Sequence, residues 1–129
     1  MDAAPAILLR DDAALRVFDT GQGGLPVVFQ HGLGGDAAQV AQNFPDGPSY
    51  RRMTVECRAQ GGSSAGSGRP FSMAMFADDV LAAADAAGLD RFVAGGISMG
   101  AAIALQLAAR HPDRIAGLVL VRPAWAFEE

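Results

Sequence analysis

Residues 92–100 read Phe-Val-Ala-Gly-Gly-Ile-Ser-Met-Gly, and no other stretch of the chain is as informative about its structure. Its first three residues are apolar and predict a strand. The alanine-rich run 98–110 predicts a helix that stops at His111 and Pro112. Between strand and helix, Gly-Ile-Ser-Met-Gly matches the pattern G-x-S-x-G, in which a sharp turn lifts a serine hydroxyl clear of the sheet. The sequence therefore predicts an exposed hydroxyl on Ser98.

Small residues surround this serine, as such a strained turn requires. Gly96 and Gly100 stand on either side of Ser98 at positions where larger side chains would collide. The helix that begins here directs its free N–H groups and its dipole toward the serine, which would stabilise negative charge on a tetrahedral intermediate. The alternative is that Ser98 only caps a helix after a tight turn. A dinucleotide-binding loop does not fit, because the glycines do not follow G-x-G-x-x-G.

Outward from this stretch, short apolar runs bounded by turn residues predict further strands, and apolar residues at helical spacing predict further helices. The predicted strands are residues 6–9, 15–18, 26–30, 53–56 and 117–121, and the predicted helices are residues 39–44 and 73–87. The first two strands are expected to form a hairpin. Strands that alternate with helices imply right-handed crossovers and a largely parallel sheet. The predicted fold class is thus α/β, a mostly parallel sheet with flanking helices.

Three other segments join the serine turn in a family pattern. Residues 31–35, His-Gly-Leu-Gly-Gly, follow a strand and, with the serine turn downstream, resemble the α/β-hydrolase superfamily. Residues 56–63 are similar to the family's D-x-R-G-H-G-x-S segment, with Ala59 and Gln60 in place of Gly-His. Residues 109–121 are similar to the passage from the nucleophile helix to the sixth strand. The resemblance implies a truncated α/β-hydrolase core.

The resemblance also assigns roles to the residues that match. Ser98 corresponds to the catalytic nucleophile, and the backbone N–H groups of Leu33 and Met99 correspond to the oxyanion hole. His31 corresponds to a structural residue whose imidazole orients its loop. Serine rather than aspartate at the turn favours hydrolysis of a carboxylic ester or lactone over dehalogenase or epoxide-hydrolase chemistry. The glycines that shape the turn and the loop are Gly32, Gly34, Gly96 and Gly100.

Other parts of the family's catalytic machinery find no match. Family members run to about twice this length, so we expect residues 1–129 to be a single incomplete domain without the cap, the last strands, the acid and the histidine. His111 follows a helix end and is expected to cap it. Arg122 stands where some families place the acid, and Asp78 and Asp79 fall on the polar face of a helix, which is expected to be solvated.

Two readings of function follow from this pattern. One is a serine hydrolase domain acting on a small-molecule ester or lactone, inactive as this isolated chain because a serine nucleophile requires a base. The alternative is a non-catalytic remnant that serves as a binding module, or a truncated gene product. Phe44, Phe71, Trp125 and Phe127 are candidates to line an apolar pocket, although core packing explains them as readily.

Composition excludes several other classes of protein. All ten basic residues are arginines, which removes mechanisms that need a lysine. The net charge of −4 is spread along the chain, so neither nucleic acid nor a membrane is an expected partner. A single cysteine, Cys57, cannot form an internal disulfide, and no metal or cofactor is expected. The N-terminus resembles no signal peptide, and no stretch approaches membrane-spanning length, so the expected location is cytoplasmic.

The last predicted strand has a further consequence. Residues 118–121 are expected to form an exposed apolar edge of the sheet, with no following strand to pair it. Such an edge invites association. A homodimer joined through this edge is therefore a prediction from the sequence.

Overall fold

The computed structural model describes residues 5–21, 23–44, 47, 49–67 and 70–123. Within these ranges the strands are β1 (Ala6–Arg10), β2 (Ala13–Asp19), β3 (Leu25–Gln30), β4 (Tyr50–Val55), β5 (Phe92–Ile97) and β6 (Ile115–Val121), and the helices are α1 (Ala37–Asn43), α2 (Met73–Ala86) and α3 (Met99–Arg110). The predicted α/β class is confirmed, because helices alternate with strands of a single mostly parallel sheet.

The sheet has the strand order β1-β2-β4-β3-β5-β6. β1 pairs with β2 in the predicted hairpin, and β2 also runs antiparallel to β4. The other four strands are parallel to one another. The carboxyl ends of β3, β4 and β5 therefore meet at one edge of the sheet, which is where open α/β sheets bind ligands.

All six strands extend beyond their predicted bounds at one end or both, and β4 and β5 show why. β4 begins at Tyr50 rather than at residue 53, because two arginines that the hydropathy pattern excluded are accommodated in the strand. The guanidinium of Arg51 lies 2.8 Å from a carboxylate oxygen of Asp19, and the guanidinium of Arg52 lies over the Phe44 ring, 5.5 Å from its centroid. β5 continues to Ile97 because its glycines still pair with β3 and β6.

Alternate residues of β3 face opposite sides of the sheet and meet different helices. Val28 is 1% exposed and belongs to the larger core, together with Ile103 of α3 and the buried face of α2. Val27 and Phe29 point the other way and pack against Val40 of α1. The sheet is thus covered by α1 on one face and by α2 and α3 on the other, which fixes the turn and loop at its carboxyl edge.

The predicted solvation of the polar face of α2 is wrong for Asp79, which is buried, whereas Asp78 is partly exposed. The Asp79 carboxylate accepts hydrogen bonds from two nitrogens of the Arg58 guanidinium, at 2.8 and 2.9 Å, and from Arg10 Nε at 3.1 Å. Two guanidinium groups compensate for the burial of one carboxylate. The hydrogen bonds with Asp79 raise the pKa of the Arg58 guanidinium. Both arginines are distant in sequence, so helical periodicity gave no sign of them.

The last strand lies at the edge of the sheet, as the sequence predicts. In β6 the apolar side chains of Leu118, Val119 and Val121 are 42%, 45% and 38% exposed. Among the described residues, β6 pairs with β5 alone. Its other side has no strand partner in the part of the chain that the structure describes, and an open edge of this kind favours strand association.

The described helices are short. None of them is both long enough and apolar enough to cross a lipid bilayer. The longest, α2, has 14 residues, fewer than the roughly 20 that a spanning helix needs.

Candidate active site

Ser98 occupies a strained turn between β5 and α3. Its backbone has φ of +55° and ψ of −111°, in a region that costs a non-glycine residue on the order of 1–3 kcal/mol. Its N–H donates to the carbonyl of Val121 at 2.9 Å, which ties the turn to β6. The Ser98 side chain makes no capping hydrogen bond to α3, so the alternative of a simple cap is not supported by the hydroxyl.

The glycines on either side of Ser98 are required by close backbone approach. A Cβ on Gly96 would overlap the backbone of Gly100. A Cβ on Gly100 would overlap the carbonyl groups of Gln30 and His31 at the end of β3. The small residues of this motif therefore let α3 begin directly against β3 and β5, with the serine at the point of contact.

The loop at residues 31–35 packs directly against the serine turn. A Cβ on Gly32 would lie 3.6 Å from the Cβ of Ser98 and 3.3 Å from the carbonyl oxygen of Ile97. Gly35 N–H donates to the Gly32 carbonyl at 2.9 Å, and Gly34 has a φ of +73°, so the loop closes in a tight turn. The structure thus brings both sequence motifs to one place.

Leu33, Gly34, Ser98 and Met99 line a single cavity of about 610 Å³. Most of its other lining side chains are apolar, namely Phe71, Met73 and Phe76, and the polar groups come from Arg58 and Gln60. This is the composition of a small-molecule site, in which apolar walls surround a few polar groups. All the residues that the sequence proposed for nucleophile and oxyanion hole therefore border the same space.

Of the aromatic residues proposed for a pocket, Phe71 lines this cavity, whereas Phe44 packs against Phe29 and Tyr50 with ring centroids 5.1 and 5.4 Å away. Trp125 and Phe127 lie outside the described residues. A second cavity, of about 500 Å³, is bordered by β2, β4 and α1 and includes none of the proposed site residues. Its charged lining residues include Arg16, Asp36 and Glu56.

His31 is fully buried, and both of its ring nitrogens are engaged by the backbone. Nε2 accepts from the N–H of Cys57 at 3.0 Å, so in the neutral ring the proton is on Nδ1, which donates to the Gly32 carbonyl at 2.6 Å. The imidazole links the start of the loop to the segment after β4. A ring used in this way has no free nitrogen to take a proton from Ser98.

The other titratable candidates lie apart from the serine or are unreactive. His111 caps the far end of α3, about 18 Å along the helix from Ser98. Cys57 is 2% exposed, and burial raises the pKa of its thiol to about 12. The thiol is therefore neutral at physiological pH and too shielded to act as a nucleophile.

Two glutamines contact the loop, and the sequence motifs assign a role to neither of them. Gln39 of α1 accepts the Gly32 N–H at 2.7 Å, and Gln60 accepts the Gly34 N–H at 2.8 Å. Gln60 had one signal, because it stands where the resembling family pattern has histidine. Ala59 before it has a φ of +63°, which explains why that pattern has glycine there.

Comparison with protein-family models matches residues 26–129 to the family described as alpha/beta hydrolase fold. The chain belongs to this α/β-hydrolase family. The match includes the loop at 31–35 and the serine turn, so the two motifs that meet in the structure are also part of the family pattern.

Curated relatives cover most of this chain but are much longer than it. The protein named "Putative carbamate hydrolase RutD" of Klebsiella pneumoniae (strain 342) is 35% identical over 96 residues, which are 74% of this chain and 36% of that protein. The dihydrolipoyllysine-residue acetyltransferase component of the acetoin cleaving system of Pseudomonas putida is 33% identical over 111 residues, 85% of this chain and 30% of that protein. The chain thus spans about a third of the length of these relatives.

Solved structures of α/β-hydrolases also match most of this chain and are longer than it. Est816, described as an N-acyl homoserine lactone degrading enzyme, is 28% identical with a TM-score of 0.76, over 89% of this chain and 44% of that one. A hypothetical protein from Pseudomonas aeruginosa PAO1 is 26% identical with a TM-score of 0.88, over 98% of this chain and 46% of that one.

Proposed function

We propose that this chain is the nucleophile-bearing part of a serine hydrolase that cleaves a carboxylic ester or lactone through an acyl-serine intermediate. One observation carries the proposal. Ser98 has a strained backbone, its side chain makes no capping hydrogen bond, and it borders the same cavity as Leu33 and Met99. A serine in this position can approach a bound carbonyl carbon without displacing protein backbone. Family membership supports hydrolase chemistry, since the relatives include a protein named as a carbamate hydrolase and a lactone-degrading enzyme.

The chemistry divides into two steps. Ser98 Oγ attacks the carbonyl carbon, its proton passes to a base, and the C–O bond to the alcohol breaks as that proton reaches the leaving oxygen. Water then hydrolyses the acyl-serine and releases the acid. The N–H groups of Leu33 and Met99 donate to the oxyanion in both steps, where one such donor contributes roughly 100-fold to 1,000-fold in kcat.

The base and the acid of this mechanism are to be supplied from outside the described residues. Both ring nitrogens of His31 are taken up by the backbone, and His111 lies at the far end of α3. Relatives that are about three times as long have room for these groups in segments that do not match this chain. We therefore expect residues 1–129 alone to turn over substrate poorly.

The apolar lining of the cavity supports a substrate with an apolar acyl group. Phe71, Met73 and Phe76 offer surface to a hydrocarbon chain, while the reacting carbonyl lies near Ser98. Charged substrates would lose hydration there without gaining a partner of opposite charge, apart from Arg58, which is already bonded to Asp79.

Labelling with a fluorophosphonate probe, with and without added imidazole as a substitute base, tests this proposal. We expect slow labelling of Ser98 in the native chain, faster labelling as imidazole is raised, and none in Ser98→Ala. Mass spectrometry of the labelled peptide identifies the site. If Ser98 stays unlabelled at every imidazole concentration and pH, the chain is a non-catalytic remnant with a binding cavity, and the proposal is wrong.

A homodimer joined through β6 remains part of the proposal. Leu118, Val119 and Val121 present an exposed apolar surface on a strand that is at the edge of the described sheet, and a second copy has the same edge. Light scattering is expected to give a mass near twice the 13.3 kDa of the chain. Charge on the edge, as in Val119→Lys, should return the mass to that of one chain, and a native chain that is already monomeric contradicts the idea.

A cytoplasmic location stays a prediction from the sequence.

A further inference from the structure

Two glutamine side chains reach the loop at 31–35 from different segments of the chain. Gln39 Oε1, on α1, accepts the N–H of Gly32 at 2.7 Å. Gln60 Oε1, in the segment after β4, accepts the N–H of Gly34 at 2.8 Å. These two amides are the immediate neighbours of the Leu33 amide on either side.

The Leu33 amide differs from its neighbours in the loop. Gly32, Gly34 and Gly35 all donate to acceptors of the protein, the last of them to the Gly32 carbonyl at 2.9 Å. Among the described residues no acceptor takes the Leu33 N–H, and Leu33 borders the cavity that contains Ser98. The Leu33 N–H is therefore available to a ligand in the cavity, whereas the neighbouring amides of the loop already donate to acceptors of the protein.

Both carboxamides are held so that their oxygens face the loop. Gln60 Nε2 donates to the Arg58 carbonyl at 3.3 Å, which leaves Oε1 as the acceptor for Gly34. Arg58 is itself fixed by its buried pair with Asp79. Gln39 lies in the first turn of α1, and a Cβ on Gly35 would overlap its Oε1, so the close approach needs that glycine.

We infer that Gln39 and Gln60 are positioning residues for the oxyanion hole, each holding one amide beside Leu33 so that the Leu33 N–H is left to donate to the substrate together with the N–H of Met99. The inference rests on the proposed function of Ser98. A carboxamide suits this task because it accepts a hydrogen bond without changing its charge over the physiological pH range. Neither residue touches the reacting atoms, and both act through the backbone of the loop.

Amide hydrogen exchange measured by NMR on the 129-residue chain tests the inference without requiring activity. In Gln39→Met the exchange of the Gly32 amide should rise roughly fivefold to tenfold, and in Gln60→Met that of the Gly34 amide should do so, since a side chain of similar size has lost its acceptor. Gln42→Met, at an exposed glutamine on α1, is the matched control and should change neither. Gln60→Glu keeps an acceptor oxygen and should restore native protection at Gly34.

Labelling of Ser98 in the presence of imidazole gives a second measurement. Gln60→Met should lower the labelling rate about tenfold relative to Gln42→Met, because a displaced Leu33 amide stabilises the oxyanion less. Unchanged exchange at Gly32 and Gly34 overturns the inference, and so does faster exchange with an unchanged labelling rate. If the native chain is not labelled at all, the proposed function fails, and exchange alone decides whether the glutamines hold the loop. Exchange in α3 identifies any variant that has unfolded, in which case Gln60→Glu, which retains the bond, is compared with Gln60→Leu.

Discussion

The serine turn and the loop at 31–35 meet at one cavity, but they are held in place by different means. The turn is built from neighbours in sequence, because Gly96 and Gly100 allow β5 to pass directly into α3. The loop is held by side chains from elsewhere in the chain. His31 bonds to the backbone of Cys57, and Gln39 and Gln60 accept amides of the loop.

This difference has a physical consequence for each region. The turn is sensitive to volume, since an added methyl group meets backbone atoms that cannot move aside. The loop is sensitive to the loss of acceptors and charges in the segments that support it, above all the segment after β4 that Arg58 and Asp79 fix in position. Substitutions in the two regions should therefore destabilise the protein for different physical reasons.

The largest expected effect comes from the support of the loop. Asp79→Asn removes the buried carboxylate that pairs with the Arg58 guanidinium, whose pair with Asp11 is with an exposed carboxylate, and should lower the free energy of unfolding by about 3–5 kcal/mol. Chemical denaturation measures this loss. The neighbouring Asp78→Asn is the control, because its pair with Arg110 is exposed and contributes at most about 1 kcal/mol. Equal losses in the two variants would show that Asp79 does not hold a buried pair.

The next effect concerns volume at the turn. Gly100→Ala should lower the free energy of unfolding by about 2–3 kcal/mol, because its methyl group overlaps the carbonyl of Gln30. Helix propensity alone predicts the opposite sign, a gain of about 1 kcal/mol. Gly117→Ala is the matched control, since its nearest neighbour is 4.0 Å away. A more stable Gly100→Ala protein would mean that α3 does not begin against β3.

A smaller effect of opposite sign is expected at Ser98 itself. Ser98→Gly should raise the free energy of unfolding by about 1 kcal/mol, because glycine adopts a φ of +55° without strain. Ser98→Ala retains the strain and should not be stabilised. Thermal unfolding of the two variants measures the difference. Equal melting temperatures would contradict a strained turn.

Much of the fold was predictable because the relevant signals are local. The hairpin of β1 and β2, the helix α2 and the glycines around Ser98 all appear as short patterns of apolar and turn residues. The loop at 31–35 was also recognisable, because its glycines follow a strand in the order that the family shares.

The remainder depends on contacts between distant residues, which a single sequence does not reveal. Helical periodicity assigned Asp79 to a solvated face, and only the fold brings Arg10 and Arg58 to it. Gln39 and Gln60 look like ordinary polar residues until their oxygens are placed beside the loop. The start of β4 was missed because arginines paired across strands read as turn or loop in the hydropathy pattern.

An engineered disulfide between the two regions tests their convergence most directly. A Cβ on Gly32 lies 3.6 Å from the Cβ of Ser98, within the range of a disulfide bond. Gly32→Cys combined with Ser98→Cys, in a Cys57→Ala background, should form the cross-link in high yield on mild oxidation, as peptide mass spectrometry will show. Gly23→Cys with Ser98→Cys is the control, because residue 23 precedes β3 and lies at the opposite end of that strand, about 20 Å away. If residues 32 and 98 stay reduced, or link no faster than the control pair, the loop and the serine turn do not meet and the proposed site does not exist.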